Sequence, residues 1–272
     1  MGRKLVRLAA FLVLTSCALL EAADNAYDAA SNSAYTGGWS NGSNGGFGFG
    51  AWSLSPASNT GNAGFFIASS TENGDGDSNG DGDINTAGNA FGLYGNSGQT
   101  ASAVRSFNGG ALTIGQSFYI RMDNGFIDTG GTVGLGLQNS SGTNRIEFYF
   151  SGGDSTYRVN PVISSPIATG VNFTDEGLRL QFTVESSTQV RVIVRNNSGA
   201  STLFNQLVTV ASATDISRFR LFNANAGSGP ARNLYFNEMA VPEPGGLLPL
   251  ALGVGWLLSG RRRAVSRGDG RN

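Results

Sequence analysis

Apolar positions in this chain recur at every second residue. The clearest cases are Leu178–Val184 (LRLQFTV) and Gln189–Arg195 (QVRVIVR), separated by the turn Glu185–Thr188. Alternation of this kind predicts strands with one buried and one open face. Leu112–Met122 repeats it, with Phe118 and Ile120 on one face and Tyr119 and Arg121 on the other. So does Thr132–Asn139 (TVGLGLQN), where Val133, Leu135 and Leu137 are in register and Gly134 and Gly136 fall opposite. Asn144–Ser151 (NRIEFYFS) sets Ile146, Phe148 and Phe150 facing one way. Thr202–Val210, Phe219–Asn223 and Leu234–Ala240 complete the second half. The first half supplies Gly45–Ser55, with Phe47, Phe49, Ala51 and Leu54 as its apolar positions, and then Gly64–Ser69, Ala90–Tyr94 and Ala101–Phe107. Asp24–Asn44 is polar, punctuated by Tyr27, Tyr35 and Trp39. Turn residues return about every 8–12 positions, and no interior stretch has helical spacing. The expected fold is all-β: a two-sheet antiparallel β-sandwich of jelly-roll type in a single domain, residues 23–240.

The two ends break the pattern. Met1–Ala22 opens with Arg3, Lys4 and Arg7 and runs apolar from Leu8 to Leu20, the layout of a secretory signal peptide with a short helix. Cleavage is expected after Ala22 or Ala23. Leu14-Thr15-Ser16-Cys17 also fits a lipobox, in which Cys17, the single cysteine, would be lipidated. At the other end Val241-Pro242-Glu243-Pro244 precedes an apolar run, Leu247–Leu258, closed by Arg261, Arg262 and Arg263. The prolines favour an extended, accessible segment, and the last strand is expected to stop a few residues before them. The apolar run is short against the roughly 20 residues of a stable span, which suits a transient transmembrane helix. The arginines should hold its end on the cytoplasmic side, ahead of a tail at 264–272.

Composition sharpens the middle. From Ala23 to Pro244 there are 10 arginines against 17 Asp and Glu, a formal charge of −7, and no lysine or histidine. An acidic domain argues against a nucleic-acid partner, which calls for a basic face. Without histidine or a mature cysteine, Ser-His-Asp and Cys-His catalysis and histidine-based zinc sites are excluded. Glycan hydrolysis needs two carboxylates. Glu147 lies on a strand with Tyr149 and Gly152 at the following second and fifth positions, so the expectation is that the protein is not an enzyme.

One internal motif carries candidate chemistry. Asn73–Asn85 (NGDGDSNGDGDIN) alternates carboxylates with small residues, and Asp75, Asp77, Asn79, Asp81, Asp83 and Asn85 form a candidate oxygen-ligand set for Ca2+. Four carboxylates this close repel one another unless a cation neutralises them. The stretch Asp77–Asn85 resembles the calcium loop of EF-hand and dockerin modules, although Gly88 stands where the twelfth-position acid belongs. The other reading is a plain acidic loop.

The C-terminal order of Pro242-Glu243-Pro244, short apolar helix and arginine cluster resembles the PEP-CTERM sorting signal of Gram-negative bacteria. That resemblance covers Val241–Arg263 and implies an exosortase-type protease partner, a transient inner-membrane anchor, and delivery to the outer surface or extracellular matrix. A simple tail anchor is the competing reading. LRLQFTVESSTQVRVIVR, ISRFRLFNANAG and RNLYFNEMAV together resemble the concanavalin-like, laminin-G-type jelly roll. The expected function is a structural or adhesive protein of the cell surface or exopolysaccharide matrix. The alternative is a calcium-assisted, lectin-like carbohydrate-binding module, with Trp39, Trp52, Tyr94 and Tyr157 as candidate sugar-stacking rings unless they belong to the core.

Overall fold

A computed structural model describes residues 24–73 and 84–243. Within them the chain forms two antiparallel sheets packed face to face. One runs in the order β13 (Thr202–Thr209), β12 (Gln189–Asn196), β11 (Leu178–Ser186), β6 (Ser117–Asn124), β15 (Leu234–Pro242), β4 (Ala90–Gly95) and β3 (Ala63–Ala68). Its eighth strand, β1 (Asp24–Asp28), pairs with the far half of β15. The other runs β10 (Ile167–Asn172), β9 (Thr156–Asn160), β8 (Asn144–Ser151), β7 (Thr132–Gln138), β14 (Arg218–Ala224), β5 (Thr100–Ser106) and β2 (Ser53–Ser55).

The alternation decides what lies between the sheets. Phe118, Ile120, Leu180, Phe182, Val192 and Val194 meet Leu135, Leu137, Phe148, Phe219 and Leu221 in one buried cluster. Phe118 stacks on Phe219 across the gap, centroids 4.8 Å apart. Each such side chain contributes about 1.5–3 kcal/mol of burial, so the strand period alone assembles a core large enough to need no disulfide.

A buried ion pair ties the N-terminal segment to this core. Arg105, at an inward position of β5, meets the Asp28 carboxylate of β1 at 2.5 Å, with both side chains fully buried. Its remaining donors reach the carbonyls of Gly50 and Gly45 and the Asn44 Oδ1. Its plane lies over Phe49 and Trp52. The Tyr35 hydroxyl donates to the same Asp28 oxygen and accepts from the Trp52 indole at 3.0 Å.

Several expectations change here. Of Gly45–Ser55 only Ser53–Ser55 is a strand, because Gly46 and Gly48 take left-handed φ values of 67° and 75°. Phe47 and Ala51 point to solvent, while Phe49 and Leu54 are buried. Strands β1, β9 and β10 were not signalled by the apolar pattern: they are short, and two carry their inward positions with Asp28 and Thr169. The last strand does not stop before the proline pair. It continues through Pro242, with Asp24 opposite Pro242 and Ala26 opposite Val241. Val241 and Pro242 are therefore buried rather than accessible, and exposed chain resumes at Glu243. Pro242 fits because a strand terminus asks little of its missing N–H.

Pro244, Arg261, Arg262, Arg263, Cys17 and the signal segment lie outside the described residues. Among those described, no helix is long and apolar enough to cross a membrane.

Candidate functional site

The open face of the seven-stranded sheet gathers polar and aromatic side chains in straight rows. Register places Ser102, Phe222, Gly134, Tyr149 and Arg158 side by side across β5, β14, β7, β8 and β9. The next row is Val104, Arg220, Gly136, Glu147 and Asn160. Two strands flank the glycine strand β7, so the side chains of β14 and β8 stand roughly 10 Å apart across a floor that has none. Arg220 and Phe222 stand on one side of β7 and Glu147 and Tyr149 on the other; Phe222 is 6 % exposed and both glycines are buried, while Arg220, Glu147 and Tyr149 are half-buried.

The glycines differ in what they permit. A Cβ on Gly134 would run into the Phe148 carbonyl, so strand approach itself demands glycine there. A Cβ on Gly136 would lie 3.1 Å from the Asn144 Oδ1 and 3.4 Å from the Glu147 Cγ, a tight but yielding contact. Gly136 therefore makes room for the Asn144 and Glu147 side chains more than it satisfies the backbone.

The polar groups are oriented by one another. The Arg218 Nε donates to the Gln138 Oε1 at 3.1 Å, and the Gln138 amide donates to the Asn144 Oδ1 at 2.7 Å. Asn144 donates to one Glu147 oxygen at 2.5 Å and Asn160 to the other at 2.7 Å. This chain crosses four strands and presents Glu147 with both oxygens held. Across β7 the Arg220 Nε donates to the Ser102 Oγ at 2.7 Å, and its guanidinium lies 5.0 Å from the Phe222 ring centre. Burial lowers the Arg220 pKa, and the Glu147 charge works against that shift. Tyr149 is pushed up, first by burial, with the Arg158 charge opposing. Arg158 itself is held by Asp154 through Nε at 2.7 Å. These rows set fixed donors and acceptors beside the half-buried Tyr149 ring.

The residues expected from sequence are distributed otherwise. Trp39, Trp52 and Tyr157 are 4 %, 2 % and 1 % exposed and belong to the core. Trp39 packs edge-on to Trp52, Phe65 and Phe91, and the Tyr157 hydroxyl is spent on Asn124 and Thr174. They are not sugar-stacking rings. Tyr94 is half-buried, with its hydroxyl donating to the Thr60 carbonyl. Glu147 is half-buried and networked rather than simply exposed.

Asp75, Asp77, Asn79, Asp81 and Asp83 lie outside the described residues. Asn85 sits at the base of that run, where its Oδ1 accepts the Ser70 N–H at 2.8 Å and its Nδ2 donates to the Ser69 Oγ at 2.6 Å. Asn237 secures the same base, donating to the Ile84 and Asn89 carbonyls. Among the described residues, no three His, Cys, Asp or Glu side chains are grouped to hold a metal.

Sequence alternation placed Gly134 and Gly136 on the face opposite Val133, Leu135 and Leu137, and the structure keeps them there, both buried. Alternation did not single out Tyr149, Asn160, Arg220 or Phe222, because only register across five strands brings them together.

No family model matches the chain, and no curated protein matches it. Solved structures do resemble it. Domain 4 of AbnA, an extracellular arabinanase from Geobacillus stearothermophilus solved with arabinotriose, has 14% identity and a TM-score of 0.42, covering 82% of this chain and 94% of that one. A carbohydrate esterase from the Shiga toxin-encoding bacteriophage phi24B has 15% identity and a TM-score of 0.43 over 70% and 89%. The galectin LEC-6 from Caenorhabditis elegans has 8% identity and a TM-score of 0.36 over 49% and 86%. Likeness at this level assigns no ligand.

Proposed function

We propose that this protein is an exported polysaccharide-binding β-sandwich, an adhesive component of the cell surface or extracellular matrix, and that it binds sugar chains along the open face of the seven-stranded sheet. What supports this reading is the part-exposed row of Ser102, Tyr149 and Arg158 beside Glu147 and Asn160 on that face, with the Glu147 carboxylate fixed by the amides of Asn144 and Asn160. The rows run across five strands, a length that suits an extended polymer rather than a single small molecule. Binding rather than cleavage is favoured because both Glu147 oxygens are occupied by amide donors and Asp154 is engaged by Arg158. Export through the signal peptide and the PEP-CTERM-like segment is part of the proposal, as is Ca2+ on the Asp75–Asp83 run.

Affinity electrophoresis of the full-length protein in gels cast with neutral polysaccharides tests the reading. Retardation by at least one polymer is expected, and it should be lost in Tyr149→Ala while the thermal midpoint stays unchanged. Retardation that survives both Tyr149→Ala and Gly136→Val would locate binding elsewhere. Release of reducing sugars from the bound polymer would overturn the non-enzymatic reading.

A further inference from the structure

The opposite side of the sandwich carries a second arrangement. Arg121 of β6, Arg179 of β11 and Arg195 of β12 are direct register partners, one row across three adjacent strands on the open face of the eight-stranded sheet. Their neighbours along each strand, Met122, Leu180 and Val194, point into the core, so all three arginines are directed outward. Adjacent strands lie about 4.8 Å apart, and like charges placed directly opposite one another destabilise a sheet. In a domain with a formal charge of −7, three arginines in one row run against the overall balance.

Compensation within the described residues is partial. Glu238 pairs with Arg121 at 2.6 Å. It does so from a bulge where the β15–β6 register shifts and where Glu238 adopts a left-handed φ of 46°. Arg179 is left with the Asn197 carbonyl, and Arg195 with the Gln181 Oε1 at 3.4 Å. Neither has a carboxylate within ion-pair distance among the described residues. Burial, and then the Arg121 charge, lower the Arg179 pKa. Tyr119 and Gln181 occupy the next row and extend the same surface with a ring and an amide.

From this row we infer a second, separate binding site on the eight-stranded sheet, for an acidic polysaccharide whose carboxylates meet Arg179 and Arg195. Guanidinium groups take carboxylates in paired hydrogen bonds, and groups repeated at the strand spacing match a polymer with one charge per sugar ring better than a single small anion. Arg121, already neutralised by Glu238, closes the end of the row.

The test uses the full-length protein and polygalacturonate, with its fully methyl-esterified form as the uncharged control. Binding to polygalacturonate is expected to weaken with added salt, and binding to the ester to be absent. Arg179→Gln and Arg195→Gln should each cost about tenfold in affinity, and Arg195→Lys, which keeps the charge without the planar fork, should cost less. Without ligand, Arg179→Gln should leave the thermal midpoint unchanged or raise it, because repulsion is relieved. Tyr149→Ala should not affect this site, which separates its failure from failure of the other face. Four results would overturn the inference: equal binding of the ester, tighter binding of dextran sulfate or single-stranded DNA, insensitivity to both glutamine variants, or a large fall in midpoint for Arg179→Gln.

Discussion

The Asp28–Arg105 pair offers the sharpest stability test. In Asp28→Ala the Arg105 guanidinium stays buried with no counter-charge. It keeps the Gly45 and Gly50 carbonyls and the Asn44 oxygen but loses the one carboxylate within 4.0 Å among the described residues. Tyr35 loses its acceptor at the same time. Breaking a fully desolvated pair from one side costs about 3–5 kcal/mol. For a domain of this size that is a fall of about 10 °C in the thermal midpoint. Removing both charges should cost far less, since Asp28→Ala with Arg105→Met leaves no stranded ion. Urea unfolding followed by tryptophan fluorescence measures Asp28→Ala, Arg105→Met and the double variant, with Trp52 stacked on the guanidinium as the reporter. The reasoning fails if Asp28→Ala loses less than about 1 kcal/mol, or if the double variant is as unstable as the single ones combined.

Three further outcomes follow from the same geometry. Tyr35 is raised to about 12, chiefly by burial, so the folded state holds its proton after the unfolded chain has released its own near pH 10. Stability should therefore be intact below pH 10 and decline between pH 10 and 12, and Tyr35→Phe should flatten that decline in pH-resolved urea melts. Gly134→Ala should destabilise by about 1–3 kcal/mol through its clash with the Phe148 carbonyl, whereas Gly136→Ala should fold normally and bind polysaccharide more weakly, as circular dichroism melts beside affinity gels would show. If the Asp75–Asp83 carboxylates hold Ca2+, isothermal titration will give heat that disappears in Asp77→Ala and Asp81→Ala; absence of heat in the unmutated protein rejects the metal.

How much of this was legible in the sequence depended on the range of the information. Strands such as β11 and β12 announce themselves, because each inward position is apolar and, Ile193 apart, its neighbour is polar. Strand β1 does not: its inward positions are Ala26 and Asp28, and Asp28 reads as core only once Arg105, 77 residues away, is beside it. The aromatic residues misled for a related reason. Trp39 and Trp52 sit in polar, glycine-rich surroundings that read as surface, yet both pack against Phe91 in the core. Both candidate binding faces were hidden because each is a row across strands. Arg121, Arg179 and Arg195 each look like an ordinary outward residue until register aligns them.

The same register bears on the C-terminal segment. Val241 is 3 % exposed and Pro242 is buried, both paired with β1, so the last strand and the Pro-Glu-Pro run share residues. A cut that released the domain from a membrane anchor without cost would have to fall after Pro242, in the exposed chain that begins at Glu243. Ending the protein at Glu243 should preserve its stability. Ending it at Ala240 removes the Val241 side chain from the core and leaves Asp24 and Ala26 without strand partners, a loss of about 2 kcal/mol from burial alone. That is a difference of roughly 4–8 °C in melting temperature between the two truncations. If the protein is released from an anchor as proposed, native mass spectrometry of the released form locates its terminus. Equal melting of the two truncations, or a natural end before Val241, would refute the idea that the final strand sets the limit of processing.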